Sequence, residues 1–183
     1  MWHGRVDELW NMKKFAAALG LHTKQTHSFV ASNKVEGLAA TLDGLCTLDS
    51  STANSPDWER PLFERAMEEY LGTHVAPEFE VELLSKDADS WVPSLMEDVQ
   101  LASGVGLIEM KQTEAWWGKE WAKATPDHYW LQVQAQLLVT GLPWAILACQ
   151  IGAAMFRAVY IEPCEDTHKE IEVAVADFWE GLK

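Results

Sequence analysis

Apolar positions recur along the chain with two spacings. Between residues 5 and 19, Val6, Leu9, Trp10 and Phe15 follow a helical period of about 3.6, and Gly20 supplies a C-terminal stop. Residues 26–31 and 37–48 read as strands, and the second is almost wholly small or apolar up to Asp43-Gly44. A turn-rich stretch follows at 49–56. Residues 60–71 predict a short helix ending at Gly72, 78–84 a strand and 93–101 another helix. Residues 105–112 form a buried strand in this reading. Residues 127–140 form a helix opened by Pro126 and closed by Gly141, with Leu131, Ala135 and Leu138 as its apolar stripe. Two strands, 143–151 and 154–161, precede an amphipathic helix at 165–182 whose Ile171, Val175, Phe178 and Trp179 face inward. The order α-β-β, inserted segment, β-α-β-β-α predicts an α/β (α+β) fold with a mixed central sheet flanked by helices. Residues 1–183 then form a single domain with an insertion at about 51–103, since the strands on either side are needed together.

Composition narrows this picture. At 183 residues and 48% hydrophobic, the chain is long and apolar enough to bury a core. Its ten tryptophans are candidates for core or interface. No apolar run reaches the roughly 18 residues of a membrane span, and no apolar h-region follows the first residues. Cys46, Cys149 and Cys164 are odd in number and scattered, which argues against a disulfide framework and against a zinc or iron–sulfur site. A reducing cytoplasm is the expected compartment.

The formal net charge of −14 runs against binding a polyanion. It is unevenly spread: residues 51–103 hold 12 acids and 3 bases, and the remaining 130 residues 16 acids and 11 bases. The objection therefore falls mainly on the inserted segment, and a bound divalent cation would offset several of the other acids.

Four groups of residues carry candidate chemistry. Glu109 and Lys111 alternate onto one face of the 105–112 strand, among Val105, Leu107 and Ile108. A carboxylate and an ammonium on a buried strand are costly without a partner. The functional reading is a Mg²⁺-binding carboxylate beside a lysine that positions and deprotonates a water; the plainer one is a solvated ion pair on an edge strand. Asp43, ahead of Gly44, reads either as a turn residue or as a second metal carboxylate if its strand pairs with 105–111. Gln132 and Gln136 share a helix face at i, i+4, either as surface residues or as amides that hold a water or a phosphate oxygen. Glu8 is either an acid favoured by the dipole of the first helix or a further member of the site.

In this order the four groups resemble the lambda-exonuclease or YqaJ-type viral recombinase family of the PD-(D/E)xK nuclease superfamily, which has a restriction-endonuclease-like fold. The family pattern has a tryptophan-glycine start with a glutamate four residues on (Gly4, Glu8) and a glycine ending the first helix (Gly20). Asp43-Gly44-Leu45, then Glu109 and Lys111, then Gln132-Val133-Gln134 with Val139-Thr140 match the rest. The resemblance covers about residues 2–48 and 104–162. It implies that Asp43, Glu109 and the Met110 carbonyl ligate the catalytic metal, Mg²⁺ with Mn²⁺ as an alternative, with Glu8 as an outer acid. Lys111 would act on the water, Gln132 would orient the water or the scissile phosphate, and Thr41 stands where the family keeps a small hydroxyl residue near the 5′ phosphate.

The implied activity is metal-dependent 5′-to-3′ exonuclease action on duplex DNA in phage-type recombination, in a bacterial or phage-infected cytoplasm. It leaves single strands for an annealing recombinase, and relatives assemble as homo-oligomers. Two departures stand out. The chain starts almost at the first motif, without the segment that in relatives helps hold the duplex end, and the acidic 51–103 stretch separates two motifs. An endonuclease or repair nuclease of the same superfamily, or a catalytically silent remnant that binds a partner, are the other readings. Trp116, Trp117, Trp121 and Trp130 offer either packing or a stacking surface for a DNA end.

Overall fold

The computed structural model describes residues 11–16, 19–48, 95, 98, 102, 104–114, 121, 124–152 and 155–182. Five strands, β1 (His22–Ala31), β2 (Ala39–Thr47), β3 (Gly106–Thr113), β4 (Ala145–Ile151) and β5 (Met155–Ile161), form one sheet in chain order. Neighbours are antiparallel except β3 and β4, which run parallel. A parallel pair needs a crossover, supplied here by helix α1 (Asp127–Thr140). Helix α2 (Glu165–Glu180) follows β5. The expected mixed sheet flanked by helices is what forms. β2 and β3, on either side of the acidic stretch, are neighbours in this sheet.

Both faces of the sheet are covered, which is why its central strands read as continuous apolar runs. Ile108, Met110, Ile146 and Ala148 pack with Met12, Phe15, Ala16 and Leu19 on one face. Leu107, Ala145, Leu147 and Cys149 pack with Val133 and Leu137 of α1 on the other. Because strand residues alternate, Glu109 and Lys111 belong to the α1 face. Gly44 is not a turn residue: it lies within β2, opposite Ile108 and Gln25. A Cβ there would come within 2.9 Å of the Met12 Sδ and 2.8 Å of the Lys24 carbonyl, so the glycine lets the first helix close onto the sheet.

Four expectations need correcting or limiting. β1 begins at His22 rather than residue 26, because Lys24 and Gln25 sit on a strand that, among the described residues, pairs with β2 alone, and its polar start is hidden from apolar patterning. α1 has the predicted bounds, with the Gly141 N–H donating to Leu137 O at 2.8 Å, but its buried side is different. Leu131 is exposed, and the buried residues are Val133, Gln134, Gln136, Leu137, Leu138 and Val139. In α2 no residue is buried. Phe178 is 61% and Trp179 45% exposed, because α2 lies along α1 and the β1–β2 loop and not across the sheet; Trp179 packs on Gly37, at φ 79°, where a Cβ would collide with the indole. The helix expected at 60–71 and the strand at 78–84 lie outside the described residues, and within 93–101 the described Leu95 and Asp98 are helical.

Candidate active site

β2 and β3 are paired from Gly44 to Cys46 against Ile108 to Gly106. Where that ladder stops, Asp43 substitutes its side chain: Oδ2 accepts the Met110 N–H at 2.9 Å. One carboxylate is thereby fixed beside the next strand, on the side where Glu109 emerges.

Glu109 is 2% exposed, and an isolated carboxylate at such depth would be strongly disfavoured. Three side chains offset the burial. Lys111 Nζ donates to Oε1 at 2.5 Å and Gln132 Nε2 to the same oxygen at 2.6 Å. Gln136 Nε2 donates to Oε2 at 2.7 Å and to the Thr41 carbonyl at 2.9 Å. Burial and then the negative charge of Asp43 push the Glu109 carboxyl above the usual carboxylate range, opposed by Lys111 and by the Gln136 hydrogen bond.

Lys111 is held from two sides. Besides the ion pair with Glu109, its Nζ lies 5.1 Å from the centroid of the Tyr129 ring, a distance at which an ammonium is attracted to the ring face. Tyr129 in turn stacks on the buried Trp121, with centroids 5.7 Å apart. The described part of the tryptophan cluster is therefore packing: Trp121 is buried and Trp130 lies against the α1-side core. Trp116 and Trp117 lie outside the described residues. Cys149, the register partner of Lys111 on β4, has its thiol pushed up to about 12 by burial, against the opposing pull of Lys111.

Of the residues singled out from sequence, Asp43, Glu109, Lys111 and Gln132 come together. The exposed Thr41 precedes them on β2 and enters the network through its backbone carbonyl. Met110 enters through its N–H, with its side chain in the opposite core. Glu8 lies outside the described residues. Among the described residues no three His, Cys, Asp or Glu cluster as a metal-ligand set, so the acidic donors here are two. Sequence reading left Gln136 either as a surface residue or as an amide holding a water or a phosphate oxygen; it is instead buried and bonded to Glu109. Its spacing from Gln132 was the available signal.

Gln134, also buried, bonds α1 to the entry of α2: Nε2 donates to the Glu162 carbonyl at 2.8 Å, and Oε1 accepts the Cys164 N–H at 2.9 Å. No helix among the described residues is long and apolar enough to cross a membrane.

Comparison with solved structures finds the same fold in an alkaline exonuclease (LHK-Exo) from Laribacter hongkongensis, with a TM-score of 0.58 at 16% identity over 96% of this chain. The chain spans 64% of the length of that exonuclease. No match is found among curated proteins. The pattern of the YqaJ-like viral recombinase domain matches residues 1–143, a stretch that contains every side chain bonded to Glu109. On that match, the chain belongs to the YqaJ-like viral recombinase family.

Proposed function

We propose that this chain is a metal-dependent deoxyribonuclease of the phage exonuclease type, degrading duplex DNA from 5′ ends. The observation that carries the reading is the convergence of Asp43, Lys111 and Gln132 on one buried carboxylate, Glu109. Two carboxylates whose charges oppose each other call for a cation between them. The donors available are hard oxygens, which suit Mg²⁺, or Mn²⁺ in its place; Mg²⁺ commonly binds through one or two carboxylates and completes its shell with water and substrate phosphate. Asp43 and Glu109 would hold it, with the Met110 carbonyl as a backbone donor and Glu8 as an outer acid. Bound there, the cation supplies Lewis acidity to the scissile phosphate.

The protein's own groups do the rest. Glu109 and Tyr129 fix the Lys111 ammonium at the mouth of the site, where it orients the attacking water and carries a proton at Nζ. Gln132, exposed but anchored on Glu109, directs its amide toward that water or the phosphate. Thr41 lies on the same strand for contact with the 5′ phosphate. The product single strand is the substrate class of an annealing recombinase, and relatives' assembly into homo-oligomers extends to this chain in the same reading.

The test is degradation of end-labelled linear duplex in Mg²⁺, beside closed circular DNA, by wild type and Lys111→Ala. Linear DNA alone should be digested, and the variant should lose about 10²-fold or more of the rate. Cutting of circles would replace the exonuclease by an endonuclease, and no cutting of either substrate would leave a silent binding protein.

A further inference from the structure

Among the described residues, α2 carries an apolar face that the fold leaves largely uncovered. Ile171, Ala174, Val175 and Phe178 recur at the three- and four-residue spacing that lines one side of a helix, and Leu182 follows just past its end. None of them is buried, and Phe178 and Leu182 are mostly in solvent. With Trp179 and Gly37 of the β1–β2 loop, the first four wall a groove. A contiguous apolar surface of this kind marks a binding site, where isolated exposed side chains do not. Acids edge the face on both sides. Glu165 and Glu172, seven residues apart, run along one flank, and Glu170 and Asp177, with the same spacing, along the other; all four are exposed. Lys169 falls on the far side of the helix, where it pairs with Asp166. Lys34, on the β1–β2 loop near His168, offsets only part of this charge.

The rim charge selects among occupants. DNA, an anionic lipid surface, the α2 of a second copy and this chain's own 51–103 stretch all bring negative charge to negative charge. We propose that this face docks a cationic amphipathic helix of a partner protein. Its apolar residues fill the groove beside Phe178, and its lysines or arginines meet Glu172 on one rim and Asp177 on the other. An apolar helix face laid into a groove supplies the affinity in such a contact, and the charged rims choose the partner and speed the encounter. None of the side chains bonded to Glu109 belongs to α2, so the docking face stands or falls apart from the catalytic reading.

The experiment titrates the isotope-labelled full chain with a synthetic helix of leucine and lysine at helical period, beside a counterpart with glutamate for every lysine. The lysine peptide should move the amide resonances of Gly37 and of α2, and the glutamate peptide should not bind. Phe178→Ser and the double variant Glu172→Lys with Asp177→Lys alter exposed positions, and circular dichroism checks that each still folds. Each should weaken the lysine peptide by about tenfold or more, the scale of one anchor residue at an interface. Added salt should weaken it in wild type, and the charge-reversed variant should gain the glutamate peptide. Equal binding of the two peptides by wild type would overturn the proposal, because charge would not select the partner. Binding of the lysine peptide that ignores Phe178→Ser would overturn it too, because the apolar face would not be what holds it. Failure of wild type to bind either peptide has the same consequence. Sedimentation of the chain alone supplies the last arm: self-association that Phe178→Ser abolishes would give the face to a second copy instead.

Discussion

α1 and α2 treat their polar and apolar residues differently. α1 turns two glutamines into the protein and leaves Leu131 in solvent; α2 leaves Val173, Phe178 and Trp179 largely exposed and buries nothing completely. Side-chain hydrophobicity alone would put Leu131, Phe178 and Trp179 inside and the two glutamines outside. The difference lies in what each helix faces. α1 crosses between parallel strands and meets a carboxylate, a strand carbonyl and the backbone at the start of α2, all of which need hydrogen-bond partners. Among the described residues α2 meets α1 and the β1–β2 loop, and its apolar side lines a shallow groove with Gly37, Ile171, Ala174 and Val175 along its walls. Burial along this chain follows the partners a neighbour offers, and an amide with two good acceptors is as well placed inside as a leucine.

The sharpest way to break this comparison is to truncate one apolar residue on each helix. Leu137, 1% exposed under the sheet, should cost about 2–5 kcal/mol on replacement by alanine, as buried leucines do. Phe178→Ala should cost less than about 1 kcal/mol, since most of its ring is already in water. Urea unfolding of both variants measures this. An equal cost would mean that the α2 face is covered in solution. Next in size is Gln134→Leu, which strands the Glu162 carbonyl and the Cys164 N–H and should cost about 1–3 kcal/mol. Amide hydrogen exchange at Cys164 should accelerate in the same variant. A neutral result would show that the α1–α2 joint does not depend on this amide.

Much of α1 and β3 was legible because the signals are local. Pro126 and Gly141 mark the helix ends within one turn, and strand alternation alone puts Glu109 and Lys111 on one face. Asp43 was legible as a neighbour of Glu109 once β2 was paired with β3. Gln136 was legible only as sharing a face with Gln132, because the carboxylate and the carbonyl that it binds lie 27 and 95 residues away. The exposure of Phe178 and Trp179 escaped for a related reason: an amphipathic pattern states which side of a helix is apolar, not whether anything lies opposite. β1 lost its first residues to the polarity of an edge strand.

The smallest expected effect concerns the charge that the α1 amides enclose. Burial, then the charge of Asp43, raises the Glu109 carboxyl above its ordinary value near 4.5. Below that value the group is protonated in the folded and unfolded chain alike, and it brings no charge into the core. As pH rises through the elevated folded value, the proton must leave a buried site while the unfolded chain has already lost its own, so stability from this group declines. Metal-free wild type should therefore lose thermal stability relative to Glu109→Gln as pH rises above about 4.5, the glutamine variant lacking that slope. Saturating Mg²⁺ should reverse the sign, because a cation beside Glu109 favours the ionised form and adds stability as pH rises. Calorimetric melting of both proteins at pH 5, 6.5 and 8, in chelator and in Mg²⁺, reads the difference. Parallel curves in chelator would mean that Lys111, Gln132 and Gln136 already neutralise the cost of the buried charge, and that the amides of α1 do more for Glu109 than its depth does against it.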